Sequence, residues 1–251
     1  MRKYELTDET KNYLGVTLHR IKSLIDFGDV KSGEIGGWIE TEDNLSQYGD
    51  SWVSGDARVY GDARVYGNAQ VYGNAQVYGN AWVSGNAQVY GNAQVYGNAW
   101  VSGDAQVYGD AHVYGDSWVY GDSWVYGDAW VSGNARVYGD AHVYGDSWVY
   151  GDAWVSGDAR VSGDAQVAAK ECIFWIGAIG SRNGTTTFFN CKDGKIRVSC
   201  GCFYGDLDEF LEAVNKTHGD NEHGQVYRIA IEMAKKRIHT VCHEVKRNDQ
   251  D

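Results

Sequence analysis

Ala63-Arg64-Val65-Tyr66-Gly67-Asn68 is followed at once by Ala69-Gln70-Val71-Tyr72-Gly73-Asn74, and this six-residue unit runs without an insertion from Val53 to Val167. Twenty valines fall at that interval. Each unit reads Ala or Ser, a variable residue, Val, Tyr or Ser, Gly, and Asp or Asn, ending in a degenerate unit at Val167-Ala168-Ala169. Alternate side chains of a strand face opposite ways, so Ala/Ser and Val point in while the variable residue and Tyr/Ser point out. Gly and Asx then turn the corner, because both tolerate left-handed backbone and Asx bonds its own turn. Small and β-branched inward residues suit a narrow triangular interior of about eighteen residues per coil. The expected fold is mainly β: a left-handed parallel β-helix of about 6.7 coils, roughly 30 Å long at the ~4.8 Å strand spacing.

This pattern resembles the hexapeptide-repeat, left-handed β-helix superfamily, in which an aliphatic residue is followed four positions later by a small one, as Val65 is by Ala69. The flanks resemble the lead-in and the terminal domain of hexapeptide-repeat proteins encoded by bacteriophages and prophages. The stretches that carry this likeness are Leu18-His19-Arg20-Ile21-Lys22, Gly36-Gly37-Trp38-Ile39-Glu40, Asn44-Leu45-Ser46, Gly201-Cys202-Phe203-Tyr204-Gly205, Asp208-Glu209-Phe210 and Thr217-His218-Gly219-Asp220. The resemblance implies a fold and a setting but no activity.

Residues 1–47 are expected to form an N-terminal cap of a short strand, a turn and an irregular first coil, since an open solenoid end exposes unpaired backbone and apolar rungs. Residues 48–169 form the β-helix. Residues 170–251 change period and read as a small α+β domain. Strands are expected at Cys172–Ile179, Thr185–Asn190 and Lys195–Cys200, the last two joined across Asp193-Gly194. A helix starts at Asp206 with Glu209 as its capping-box partner and stops at Gly219. A second, from Gln225 to His239, is expected to bury Val226, Ile229, Ala230 and Met233 and to place Lys235, Lys236 and Arg237 at its C-terminal end, where the helix dipole favours cations.

Thirty-three Gly and no Pro fit a chain of repeated turns in which every strand needs its N–H groups. A net charge of −12 makes nucleic acid an unlikely ligand, because phosphate contacts need clustered Lys and Arg. Nothing near the start resembles a signal peptide and no run approaches a membrane span, so a cytoplasmic protein without membrane contact is expected. Five Cys (172, 191, 200, 202, 242) in such a chain point to reduced thiols.

The outward columns carry the candidate site. Stepping by eighteen aligns Arg64, Trp82, Trp100, Trp118, Arg136 and Trp154 on one face. Tyr72, Tyr90, Tyr108, Tyr126 and Tyr144 align on another, and Tyr60, Tyr78, Tyr96 and Tyr114 on a third. Stacked rings stabilise neighbouring coils. They also form a broad surface for a protein partner, for a glycan, or for self-association into a homo-oligomer.

Catalysis has weaker support. Acyltransferases of this superfamily use a His beside an extruded loop, whereas His112 and His142 lie thirty residues apart, on different faces, in a coil without insertions. Neither a cofactor nor a coil-bound metal is expected. Cys191, Cys200, Cys202 and His218 form a weak zinc set, lacking a second paired motif. Thirteen Asp against four Arg give residues 48–167 a charge of −9, which allows an acidic rod that captures a basic host nucleic-acid-binding or defence protein. The leading expectation is a non-catalytic scaffold or binding surface.

Overall fold

The computed structural model describes residues 1–238. The chain is mainly β, with a parallel β-solenoid between an N-terminal region and a small domain of one sheet and two helices. A hairpin of β1 (Tyr4–Tyr13) and β2 (Val16–Ser23) leads to β3 (Ile35–Ile39). Twenty two-residue strands follow, β4 to β23, from Trp52–Val53 to Gln166–Val167. They stack as three parallel faces: β4 heads a seven-strand ladder, β6 (Arg64–Val65) a six-strand one, and β5 (Arg58–Val59) continues the sheet begun by β1, β2 and β3.

Register is fixed at eighteen residues, so Gln88 pairs with Gln70 and Gln106, and Val89 with Val71 and Val107. The Gln88 N–H donates to Ala105 O at 2.9 Å, Tyr90 to Val107 O at 3.0 Å and Asn92 to Gly109 O at 2.8 Å, so the corners are bonded as well as the strands. Every valine of the repeat is at most 1% exposed and forms one continuous core with the Ala residues. Burying each Val contributes on the order of 2 kcal/mol of transfer free energy. The corner glycine is required twice over. Gly91 sits at φ +71°, and a Cβ there would lie 3.0 Å from Gly109 N in the next coil.

The N-terminal region is more strand-rich than expected. β1 is ten residues long, and its hairpin adds two antiparallel strands to the end of a parallel face through β3. The Trp38 N–H donates to Ala57 O, so coil bonding starts there, and β3 pairs in parallel with β5. Gly36 and Gly37 make this possible: a Cβ on Gly36 would stand 2.5 Å from Ile21 Cγ1, and one on Gly37 2.8 Å from Ala57 O. Phe27 and Tyr4 set their edges against buried Trp52. The buried Lys3 ammonium donates to Ser51 O at 2.8 Å, satisfying a carbonyl at the solenoid end, and burial lowers its pKa to about 8.

At the other end stands an antiparallel sheet of β24 (Ile173–Ile179), β25 (Gly184–Asn190), β26 (Ile196–Cys200) and β27 (Phe203–Asp206). β27 adds a fourth strand to the three expected from the sequence. Helices α1 (Leu207–His218) and α2 (Glu222–Arg237) pack on one side of this sheet. Strand alternation gives the sheet two jobs: Phe188 enters the core beneath the helices, while Phe189 joins the solenoid core with Ile173 and Cys191. Lys192 N–H to Asp164 O at 3.0 Å and Arg160 N–H to Thr187 Oγ1 at 3.0 Å fasten it to the last coils.

Asp206 and Glu209 form the expected capping box, and Gly219 caps α1. For α2 the expected face is corrected. Tyr227, Ala230, Ile231 and Ala234 are buried, whereas Ile229 and Met233 are 60% and 45% exposed. The helix begins at Glu222, capped by Asn221, and the expected end at His239 lies outside the described residues. Cys191, Cys200 and Cys202 are free thiols, but Cys172 is disulfide-bonded, which corrects the expectation of reduced cysteines throughout.

Candidate functional site

Because every coil has the same length, a side chain at one outward position meets its counterpart in the next coil at the strand spacing. Trp82 and Trp100 stack with centroids 4.9 Å apart and planes 8° from parallel; Trp100 and Trp118 do so at 5.1 Å. Arg64 lies 5.9 Å from the Trp82 ring. Arg136 sits between Trp118, at 5.4 Å, and Trp154, at 5.3 Å, and Lys170 Nζ is 3.6 Å from the far side of Trp154. The column is therefore an indole stack closed by cations at both ends. Trp154 belongs to it only through Arg136.

On the second face Tyr72, Tyr90, Tyr108, Tyr126 and Tyr144 stack at 4.8 to 4.9 Å. On the third, Tyr60, Tyr78, Tyr96 and Tyr114 stack at 4.9 to 5.1 Å. The eighteen-residue step would also have found Tyr120 over Tyr138, at 5.0 Å, and Trp130 over Trp148, at 5.2 Å, neither of which was singled out. Contacts at a step of sixteen were not legible in that way. The Tyr72 hydroxyl donates to Gln88 Oε1 at 3.1 Å, Tyr78 does the same to Gln94, and Tyr66 sets an edge against Trp82 at 5.8 Å.

In parallel stacks of this kind the ring faces turn toward one another and the edges turn outward. Most rings are half-buried, with Trp118 and Trp148 the most open at 41% and 38% exposure. Burial raises the hydroxyls of Tyr72, Tyr78, Tyr90 and Tyr126, and those of Tyr96 and Tyr108 to about 12, so these six stay protonated. The surface thus offers uncharged ring edges and hydroxyl donors.

His112 lies on the face headed by β5 and His142 on the face headed by β4, as their spacing predicts. His112 tilts against Trp130 at 4.8 Å and His142 against Trp124 at 5.1 Å. Burial lowers the pKa of both, and His112 Nδ1 is buried without a hydrogen-bond partner. A histidine poised as a general base needs an orienting partner on that nitrogen.

The thiols divide between two places. Cys191 is buried at the solenoid end, where burial pushes its thiol up to about 12. Cys200 lies 3.1 Å from Thr186 Oγ1 and 3.8 Å from the Tyr227 hydroxyl, and Cys202 is exposed. Among the described residues no three His, Cys, Asp or Glu side chains converge as a metal site, so Cys191, Cys200, Cys202 and His218 are not brought together. No described helix is long and apolar enough to cross a membrane.

Comparison with known proteins bears on the coil. The YdcK Beta solenoid repeat matches residues 51–67, 57–73, 69–85, 75–91, 87–103, 105–121, 129–145 and 135–151. The chain is also similar to the protein named "Uncharacterized acetyltransferase YdcK" of Escherichia coli strain K12, with 38% identity over 61 residues. That alignment covers 21% of this chain and 19% of the other, so the chain spans about a fifth of the length of the curated relative it matches.

Proposed function

We propose that the chain is a non-catalytic β-solenoid that holds an aromatic surface rigid for a protein partner or for a second copy of itself. The observation that carries this reading is the Trp82–Trp100–Trp118 stack, three indoles in one line with their edges to solvent and cations at the ends of the column. A glycan ring recognises an aromatic face, and here the faces are occupied by one another, which favours a protein surface as the complement. Contacts of that kind draw most energy from a few buried aromatic anchors.

Gln occupies the equivalent outward position at Gln70, Gln88 and Gln106, so Trp82→Gln, Trp100→Gln and Trp118→Gln together suit the backbone. The triple variant is expected to fold and to lose at least tenfold in partner capture or in self-association, read by pull-down and by sedimentation. Unchanged capture and unchanged mass would sink the reading.

The name of the Escherichia coli relative favours a second reading, acyl transfer. Incubation with acetyl-CoA and candidate acceptors separates the two, because a scaffold gives no turnover. The Asp-rich corners favour a third, capture of a basic protein by an acidic rod, which would weaken steeply with added salt.

A further inference from the structure

One opening among the described residues lies away from the coil's ring surface. A cleft of about 650 Å³ lies between the loop after β24, the β26–β27 turn, α1 and the last coils. That volume falls within the range of small-molecule sites. Phe203, Phe210 and Val214 give it an apolar floor, and Arg160 and Arg182 stand at its edge. Asp158 also lines it but is engaged by the Thr185 hydroxyl at 3.4 Å. Among the described residues neither arginine has a carboxylate within ion-pair distance, although the chain carries twelve more negative charges than positive ones.

The lip of the cleft is held in an unusual backbone. Ala178, Gly180 and Asn183 have φ of 56°, 72° and 52°; Gly and Asn tolerate that region, whereas the Ala178 side chain resists it. A Cβ on Gly180 would overlap the Tyr227 hydroxyl, so glycine alone lets the loop pass over this ring. The cost of this backbone falls on Ala178, on the order of 1 kcal/mol, at the point where β24 leaves its pairing with β25.

We propose that this cleft binds a small organic oxyanion, a carboxylate or phosphate ester on an aromatic or bulky apolar body. The body lies against Phe203, Phe210 and Val214, and the anion faces Arg182 with Arg160 beside it. None of the ladder rings lines the cleft, so this site stands or falls apart from the reading of the coil.

Calorimetric titration of the full chain with 1-naphthyl phosphate, 1-naphthoate and the neutral 1-naphthalenemethanol tests it. Saturable binding of one or both anions is expected, at least tenfold tighter than the alcohol and weakened about tenfold by Arg182→Gln, since a guanidinium–oxyanion bond is worth about that factor. The surface substitution Lys192→Gln should change nothing. Cys200 and Cys202 line the cleft, so bound 1-naphthyl phosphate should also slow their alkylation by iodoacetamide. The proposal is overturned if no compound saturates at millimolar concentration, if the alcohol binds as tightly as the anions, or if Arg182→Gln binds like the parent.

Discussion

Single residues show where the repeat departs from its own optimum. Ser147 occupies the inward position that Ala holds in the coils on either side, at Ala129 and Ala165, and its hydroxyl is buried without a partner. Ser117 and Ser123, by contrast, reach Val131 O and Val137 O, each at 3.4 Å. Ser147→Ala should therefore stabilise the protein by about 1 kcal/mol, the cost of an unsatisfied buried hydroxyl, measured as a higher denaturant midpoint at unchanged slope. Ser117→Ala should do less. The two coil histidines make a second residue-scale prediction. Burial lowers both below the ordinary value of 6.5, so the folded state binds protons more weakly than the unfolded one. Stability is then complete above pH 6.5 and declines as pH falls through that value toward the lowered folded ones. Replacing His112 and His142 with Gln, the residue at Gln94 and Gln106 in the same columns, should flatten the melting temperature between about pH 7 and 5.5. An equally steep decline in the double variant would refute it.

Among elements, the coil strands were legible because their period is a geometric instruction. Val53 to Val167 could satisfy a buried core only by turning every six residues, and the ring columns followed from the register. The Asx corners carry a finer order than the bare alternation of Asp and Asn in the repeat unit implies. Asn68 Nδ2 donates to Asn86 Oδ1 at 3.1 Å and Asn86 to Asp104 at 2.8 Å, and the other two corners repeat this through Asn74–Asn92–Asp110 and Asn80–Asn98–Asp116. A carboxylate accepts but cannot donate, so each amide chain ends at its first Asp. Outside the repeat, local signals were less decisive. Phe203–Asp206 carries no strand signal of its own, because Gly201-Cys202, with Gly201 at φ +60°, makes the whole turn of a hairpin in two residues. In α2, apolar character pointed to Ile229 and Met233, but fit against the sheet selected the side bearing Tyr227, Ala230 and Ala234. The candidate cleft was invisible in the sequence, since its walls come from the coil, a β-turn and two helices far apart along the chain.

At the scale of the whole molecule, the coil is modular and its ends are not. Excising Asn80 through Gly97 removes one complete turn, and every ladder rejoins in register: Tyr72 meets Tyr108, Tyr78 meets Tyr114, Arg64 meets Trp100 and Asn74 meets Asp110. In a solenoid stability is close to a sum of units and neighbour interfaces, so the shortened chain should lose some stability yet keep one cooperative transition and the parent's association state. The end opposite the N-terminal hairpin behaves differently because Ile173, Phe189 and Cys191 complete the same core as the last valines, and Lys192 and Thr187 engage backbone groups of the last coils. Removing residues 170–251 uncovers that core together with the unpaired groups of three parallel strands, the template for end-to-end pairing. The truncated chain is therefore expected to form large species in light scattering, while the one-coil deletion elutes like the parent. A truncation that stays monodisperse with the parent's unfolding midpoint would show that the terminal domain is an appendage. Failure of the one-coil deletion to fold would show that the ladders are not interchangeable.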